Sequence, residues 1–151
     1  MDIEKLNIGE IKAAIELVHN VFMEFEAPDY SLTGIVEFEK FIEYNSVKKM
    51  MDAGELCIMA ARDNGILKGV IANRGNHISL LFVDKEYHRQ GIARELFHVL
   101  RQELKSKGTD AITVNSSPYA VQVYHKLGFT DVDKEQVANG IRFTPMIYVM
   151  N

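Results

Sequence analysis

Apolar residues recur at helical spacing up to about residue 54 and in short strand-like runs from Glu55 onward. Ile11, Ala14, Ile15, Val18, Phe22 and Phe25 share one helical face, which predicts a first helix ending before Pro28. Ala27-Pro28-Asp29-Tyr30-Ser31 reads as a loop, with Ser31 or Thr33 free to cap a second helix whose apolar face is Ile35, Phe38, Phe41 and Ile42. A third short helix restarts at Asn45-Ser46, runs through Met50 and Met51, and stops at Gly54. Residues 1–54 are therefore expected to be helical throughout.

Leu56 to Ala61 and Ile66 to Ala72 are apolar runs around Asp63-Asn64-Gly65, a strong hairpin signal. Asn73-Arg74-Gly75-Asn76 turns the chain into a third strand, Ile78 to Val83. Ile92, Leu96, Val99, Leu100 and Leu104 then predict a helix of about four turns from near Gly91 to a stop at Gly108. A strand at Ala111–Val114 follows. Next comes a helix opened by Pro118, capped by Ser117 and closed by Lys126-Leu127-Gly128-Phe129. Ile141 to Met150 forms a last strand. The order is two or three helices, a three-strand meander, helix, strand, helix and two strands, in one domain spanning 1–151.

The segment from Val83 to Phe97 carries the clearest chemistry. A buried strand, a short basic loop and a helix start together make an anion grip, because the first amides of a helix lack internal partners and the helix dipole favours negative charge there. Gly91 allows close approach to the backbone, and His88, Arg89 and Arg94 add positive or protonatable groups.

The 47% hydrophobic and 25% charged fractions are those of a globular protein. A net charge of −4 argues against a nucleic-acid partner bound through a broad basic face. One cysteine excludes an internal disulfide, and no Cys/His cluster suggests a metal. There is no signal-peptide pattern and no membrane-length apolar run, so a cytoplasmic protein without a membrane partner is expected. No Lys-Ser/Thr phosphate loop and no dinucleotide glycine triplet is present.

His88-Arg89-Gln90-Gly91-Ile92-Ala93 resembles the pyrophosphate loop of the GCN5-related N-acetyltransferases: Gln or Arg, two residues, Gly, one residue, then Gly or Ala. Gly91 and Ala93 match, while His88 departs from the usual Gln or Arg. Asn115 to Phe129, with Ala120, Tyr124 and Leu127-Gly128-Phe129, is similar to the family's late helix, and Ser117 stands where many relatives cap it with Asn. The Ser-Pro-Tyr-Ala opening and the segment Gly140 to Met146 are similar to a bacterial subgroup of small members.

The resemblance implies an α+β fold with a mixed, mostly antiparallel sheet of six or seven strands. That sheet is expected to splay between the strand ending at Val83 and the strand Ala111–Val114. It implies acetyl transfer from acetyl-coenzyme A to a primary amine by direct attack in a ternary complex, with no metal. The cofactor would meet the loop His88, Arg89, Gln90, Gly91, Ile92, Ala93 and Arg94, the strand positions Leu81 and Val83, and Asn115 and Ser117. An amide near Leu81–Phe82 would serve the oxyanion. Tyr124 matches the family's general acid, although its helical face also allows a plain core aromatic.

On the acceptor side, Glu24, Glu26, Asp29 and Tyr30 fall where the family's first helices wall the amine site, and a solvated acidic helix end is the other reading. His77 lies near the start of its strand, as a base or as an edge residue. His19, His98 and His125 share no ligand spacing, and Cys57 reads as packing. Relatives often form a homodimer through the C-terminal strands. A non-catalytic acyl-coenzyme A sensor on the same scaffold is the alternative.

Overall fold

The computed structural model describes residues 1–151. Its first element is a strand, β1 (Asp2–Lys5), which departs from the expectation of an all-helical N-terminal region. Four residues with a single apolar side chain, Ile3, carry no periodicity to read. The strand exists because it pairs antiparallel with residues 59–62 and because Lys5 is ion-paired to Glu103.

The helices follow the apolar faces. They are α1 (Ile11–Phe25), α2 (Leu32–Ile42) and α3 (Tyr44–Asp52). Ser31 caps α2, its hydroxyl accepting a hydrogen bond from the Gly34 amide at 3.3 Å. Beyond them come β2 (Cys57–Asp63), β3 (Ile66–Arg74) and β4 (His77–Val83), forming the meander turned by Asn64-Gly65 and Gly75. Then follow α4 (Ile92–Ser106), β5 (Ala111–Ser116), α5 (Val121–Leu127), β6 (Thr130–Asp131), β7 (Gln136–Ala138) and β8 (Ile141–Val149).

The eight strands run β1-β2-β3-β4-β5-β8-β6, with β7 also paired to β8. Only β4–β5 is parallel. The strand count exceeds the sequence expectation because β1, β6 and β7 are too short to show an alternating pattern.

Helices cover both faces of the sheet. On one, α1 to α3 pack against Ile58, Ala60, Val70, Ala72, Leu80 and Phe82. On the other, α4 and α5 pack against Met59, Ala61, Ile71, Ile78, Ile112 and Val114. Ile78 belongs to the second face although Leu80 and Phe82, at even spacing from it, belong to the first. The reason is a bulge: Ala72 pairs with Leu80 but Asn73 pairs with Ile78, so Ser79 is an extra residue. The bulge re-aims β4 where it parts from β5. Those two strands pair only at His77–Thr113 and Ile78–Val114 and then diverge, so the edge of β4 beyond Ile78 faces no neighbouring strand.

The β7–β8 turn docks on the start of α2. A Cβ on Gly34 would lie 2.2 Å from the Gly140 carbonyl oxygen, so two glycines permit this approach.

Candidate active site

The loop between β4 and α4 is built from local constraints. The Asp84 carboxylate accepts from the Glu86 amide at 3.0 Å and holds a short turn over 85–87. His88 turns inward, its Nε2 donating to the Val83 carbonyl at 2.7 Å, and its ring lies 5.2 Å from that of Phe25. Its departure from the Gln or Arg pattern thus gives the loop a brace to β4. Arg89 at φ 63° and Gly91 at φ 80° both take left-handed backbone, and at Arg89 this stores strain. Together they reverse the chain so that Gly91, Ile92, Ala93 and Arg94 all line one cavity. A Cβ at Gly91 would meet nothing within 4 Å, so the space beside its backbone is open. The first amides of α4 have no partner within the helix, as an anion cradle requires.

The cavity has a volume of about 700 Å³ and lies along β4 at Leu81–Val83, between the end of α1, the start of α4 and α5. Because Leu81 and Val83 pack with the α4–α5 face and Phe82 with the α1 face, the cavity passes through the sheet. Its wall joins His88, Arg89 and the start of α4 to Val21, Phe25 and Glu26 of the α1 segment, the His88 and Phe25 rings meeting on it.

Tyr124 lines the cavity from α5. Burial, then the charge of Glu26 and the Tyr30 phenol, push its phenol upward, so it stays protonated at every physiological pH. Its hydroxyl is not part of any hydrogen bond within the protein. Glu26 is 8% exposed and lines the same cavity. Burial pushes its carboxyl up to about 7; the Ser117 hydroxyl works against that rise and the Asp29 charge adds to it.

The structure thus gathers Leu81, Phe82, Val83, His88, Arg89, Gly91, Ile92, Ala93, Arg94, Glu26 and Tyr124 around one space. Gln90 is exposed in the loop without lining it. Asn115 is exposed on β5 opposite Pro145. Ser117 is buried beside the cavity wall, its hydroxyl accepting from the Ala120 amide at 3.2 Å.

The acidic cluster is divided. Glu24 lies 3.2 Å from Lys85 Nζ, and Asp29 lies 3.6 Å from Arg142. Tyr30 packs on Phe22 with ring centroids 5.5 Å apart, and burial pushes its phenol upward. His77 sits at the closed end of the gap, outside the cavity, with Nδ1 at 2.8 Å from Thr113 Oγ1. Burial, then the nearby Arg74, lower its affinity for a proton.

Sequence reasoning missed Phe25 and Tyr119. Their rings lie 5.0 Å apart and bridge α1 to the segment before α5. Phe25 carried only a core-face signal, and Tyr119 lay within a quoted motif without an assigned role. Also missed is a recess of about 280 Å³ beside the cavity, lined by Arg94, His98, Arg101, Lys126 and Tyr148 among others. Arg94, Arg101 and Lys126 belong to no ion pair.

A bulged, splayed sheet with a strand–loop–helix turn at Gly91 and a cavity along the open edge of β4 is the architecture of an acyl-transferase scaffold. Residues 26–150 match the family model of the acetyltransferase (GNAT) domain, and the chain belongs to that family of acetyltransferases. Among solved structures, a GCN5-related N-acetyltransferase of Rhodopseudomonas palustris superposes with a TM-score of 0.84 at 18% identity, over 99% of this chain and 95% of that one. The PaiA N-acetyltransferase of Thermoplasma acidophilum, in complex with coenzyme A, has a TM-score of 0.81 at 18% identity, over 99% and 100%. The aminoglycoside 6'-N-acetyltransferase of Enterococcus faecium has a TM-score of 0.69 at 17% identity, over 99% and 97%. A search of curated proteins by sequence finds no match. No helix is long and apolar enough to cross a membrane.

Proposed function

We propose that the chain, acting as one domain, transfers the acetyl group of acetyl-coenzyme A to a primary amine. The observation that carries the reading is the continuous path from the α4 cradle, along the open edge of β4, to Tyr124 within one cavity. The fit of the coenzyme rests on this chain's own backbone: Gly91 is unobstructed, and Arg89 and Arg94 belong to no ion pair. That the PaiA enzyme of similar fold holds coenzyme A supports the same reading.

In this reading the pyrophosphate takes the amides of residues 91–94 with Arg89 and Arg94. The pantetheine arm adds to the open edge of β4 at Leu81 and Val83. The adjoining basic recess, with Arg101 and Lys126, receives the phosphorylated ribose end. An amide near Leu81–Phe82 faces the thioester oxygen, and Tyr124 donates its proton to the leaving sulfur. The amine enters beside the C-terminal end of α1.

Calorimetric titration with acetyl-coenzyme A, coenzyme A and ATP tests the cradle, and thiol release with an amine panel tests transfer. Micromolar binding of both coenzyme A compounds, ATP far weaker, and thiol release with an amine are expected. Absence of binding would refute the reading. Binding with no thiol release from any amine would favour an acyl-coenzyme A sensor on the same scaffold.

A further inference from the structure

Four groups in the sequence could have made the acceptor side of the site broadly acidic: Glu24, Glu26, Asp29 and Tyr30. The fold leaves one. Glu24 is paired with Lys85, Asp29 with Arg142, and Tyr30 is a protonated phenol packed on Phe22. Glu26 alone is buried in the cavity wall without a cationic partner, and Val21, Phe25, Phe82, Tyr119 and Val123 line the same cavity. A substrate with several ammonium groups would have to strip water from charges that this wall cannot pair, which is costly in an apolar site. A substrate with one ammonium and an apolar body meets one carboxylate and buries its remainder against aromatic and aliphatic side chains.

We infer that the acceptor is a monoamine with an apolar body and that Glu26 is the catalytic residue that receives its proton. The inference rests on the acetyl-transfer reading and names its substrate class. The ammonium N–H bond breaks, and its proton passes to a Glu26 carboxylate oxygen. The freed nitrogen lone pair forms the bond to the thioester carbon. The carbon–sulfur bond breaks, its electron pair leaves on sulfur, and sulfur takes the Tyr124 proton. The second nitrogen proton restores Tyr124, and Glu26 releases its own to solvent, so atoms and charge balance.

Glu26 suits the role because its carboxyl exchanges a proton near neutrality. The groups that act on it or face it are Asp29 and Tyr30 from the following turn, Ser117, Tyr119 before α5 and Tyr124 on α5. Arg89 and His88 of the loop line the same cavity.

The test follows thiol release by the full chain with hexylamine and phenethylamine against spermidine and an aminoglycoside, over a range of pH. Calorimetry with acetyl-coenzyme A runs in parallel on wild type, Glu26→Gln and Glu26→Asp. The monoamines are expected to have at least about tenfold higher kcat/KM than the polycations. Wild type should show a rising limb of kcat/KM centred near pH 7 that Glu26→Asp retains in shifted form. Glu26→Gln should lose that limb and about a hundredfold or more in kcat, while binding acetyl-coenzyme A as wild type does. Polycations equal to or better than monoamines, no release with monoamines, or an unchanged pH profile in Glu26→Gln would overturn the inference while leaving acetyl transfer standing. Failure of wild type to bind acetyl-coenzyme A would overturn both.

Discussion

Replacing Glu26 with Gln should change how stability responds to pH, even without any ligand. A carboxyl whose proton affinity rises from 4.5 in the unfolded chain to about 7 in the fold keeps a proton between those values that the unfolded chain has lost. Its contribution is fully present below pH 4.5, declines as pH rises through that window, and is gone above about 7. At about 1.4 kcal/mol per unit, the loss amounts to about 3 kcal/mol. For a chain of this size, each kcal/mol moves the melting temperature by roughly 2–4 °C. Wild type should therefore lose about 6–12 °C more than Glu26→Gln on going from pH 4.5 to pH 8. Melting both proteins by circular dichroism across that range isolates the effect, because every other titrating group is shared. Parallel curves would show that Glu26 titrates alike in both states and would refute its burial as the cause.

Tyr124→Phe removes the hydroxyl proposed as proton donor while keeping the ring that packs on Phe129 at a centroid distance of 5.4 Å. Turnover in the thiol-release assay is expected to fall about a hundredfold or more with acetyl-coenzyme A affinity nearly unchanged, and equal rates would remove Tyr124 from the acid role. Gly91→Glu places a β-carbon at φ 80° and a negative charge in the loop proposed to hold the pyrophosphate, so calorimetric binding of acetyl-coenzyme A should vanish; retained binding would sink the loop assignment. Gly34→Ala drives a methyl to 2.2 Å from the Gly140 carbonyl, and denaturant unfolding should show a loss of about 1–3 kcal/mol. An unchanged midpoint would mean that the β7–β8 turn does not bear on α2 in solution.

Elements whose information is local were legible in the chain. The face Ile11, Ala14, Val18 and Phe22 forms one side of α1, and all four are buried. Asn64-Gly65 turns the β2–β3 hairpin, with both residues in left-handed backbone. The strand–loop–helix turn around Gly91 could be read because its signals, a strand run, one permissive residue and a helical face, lie within a few positions of one another.

What depended on distant partners was not legible. β1 exists through pairing with residues 59–62, and the bulge at Ser79 appears only in the register with β3. That bulge, with the two-residue pairing of β4 to β5, opens the sheet and makes the cavity. The acidic residues show the difference most directly. By sequence Glu24, Glu26 and Asp29 are three alike carboxylates around one helix end. In the fold Lys85 and Arg142 neutralise the outer two, while Phe25, Tyr119 and Phe82 share with Glu26 the wall of the cavity. Helical periodicity is a property of neighbours along the chain and can be read from it. The charge and proton affinity of a side chain are set by water, dielectric and counter-charges around it, and only the folded chain supplies those.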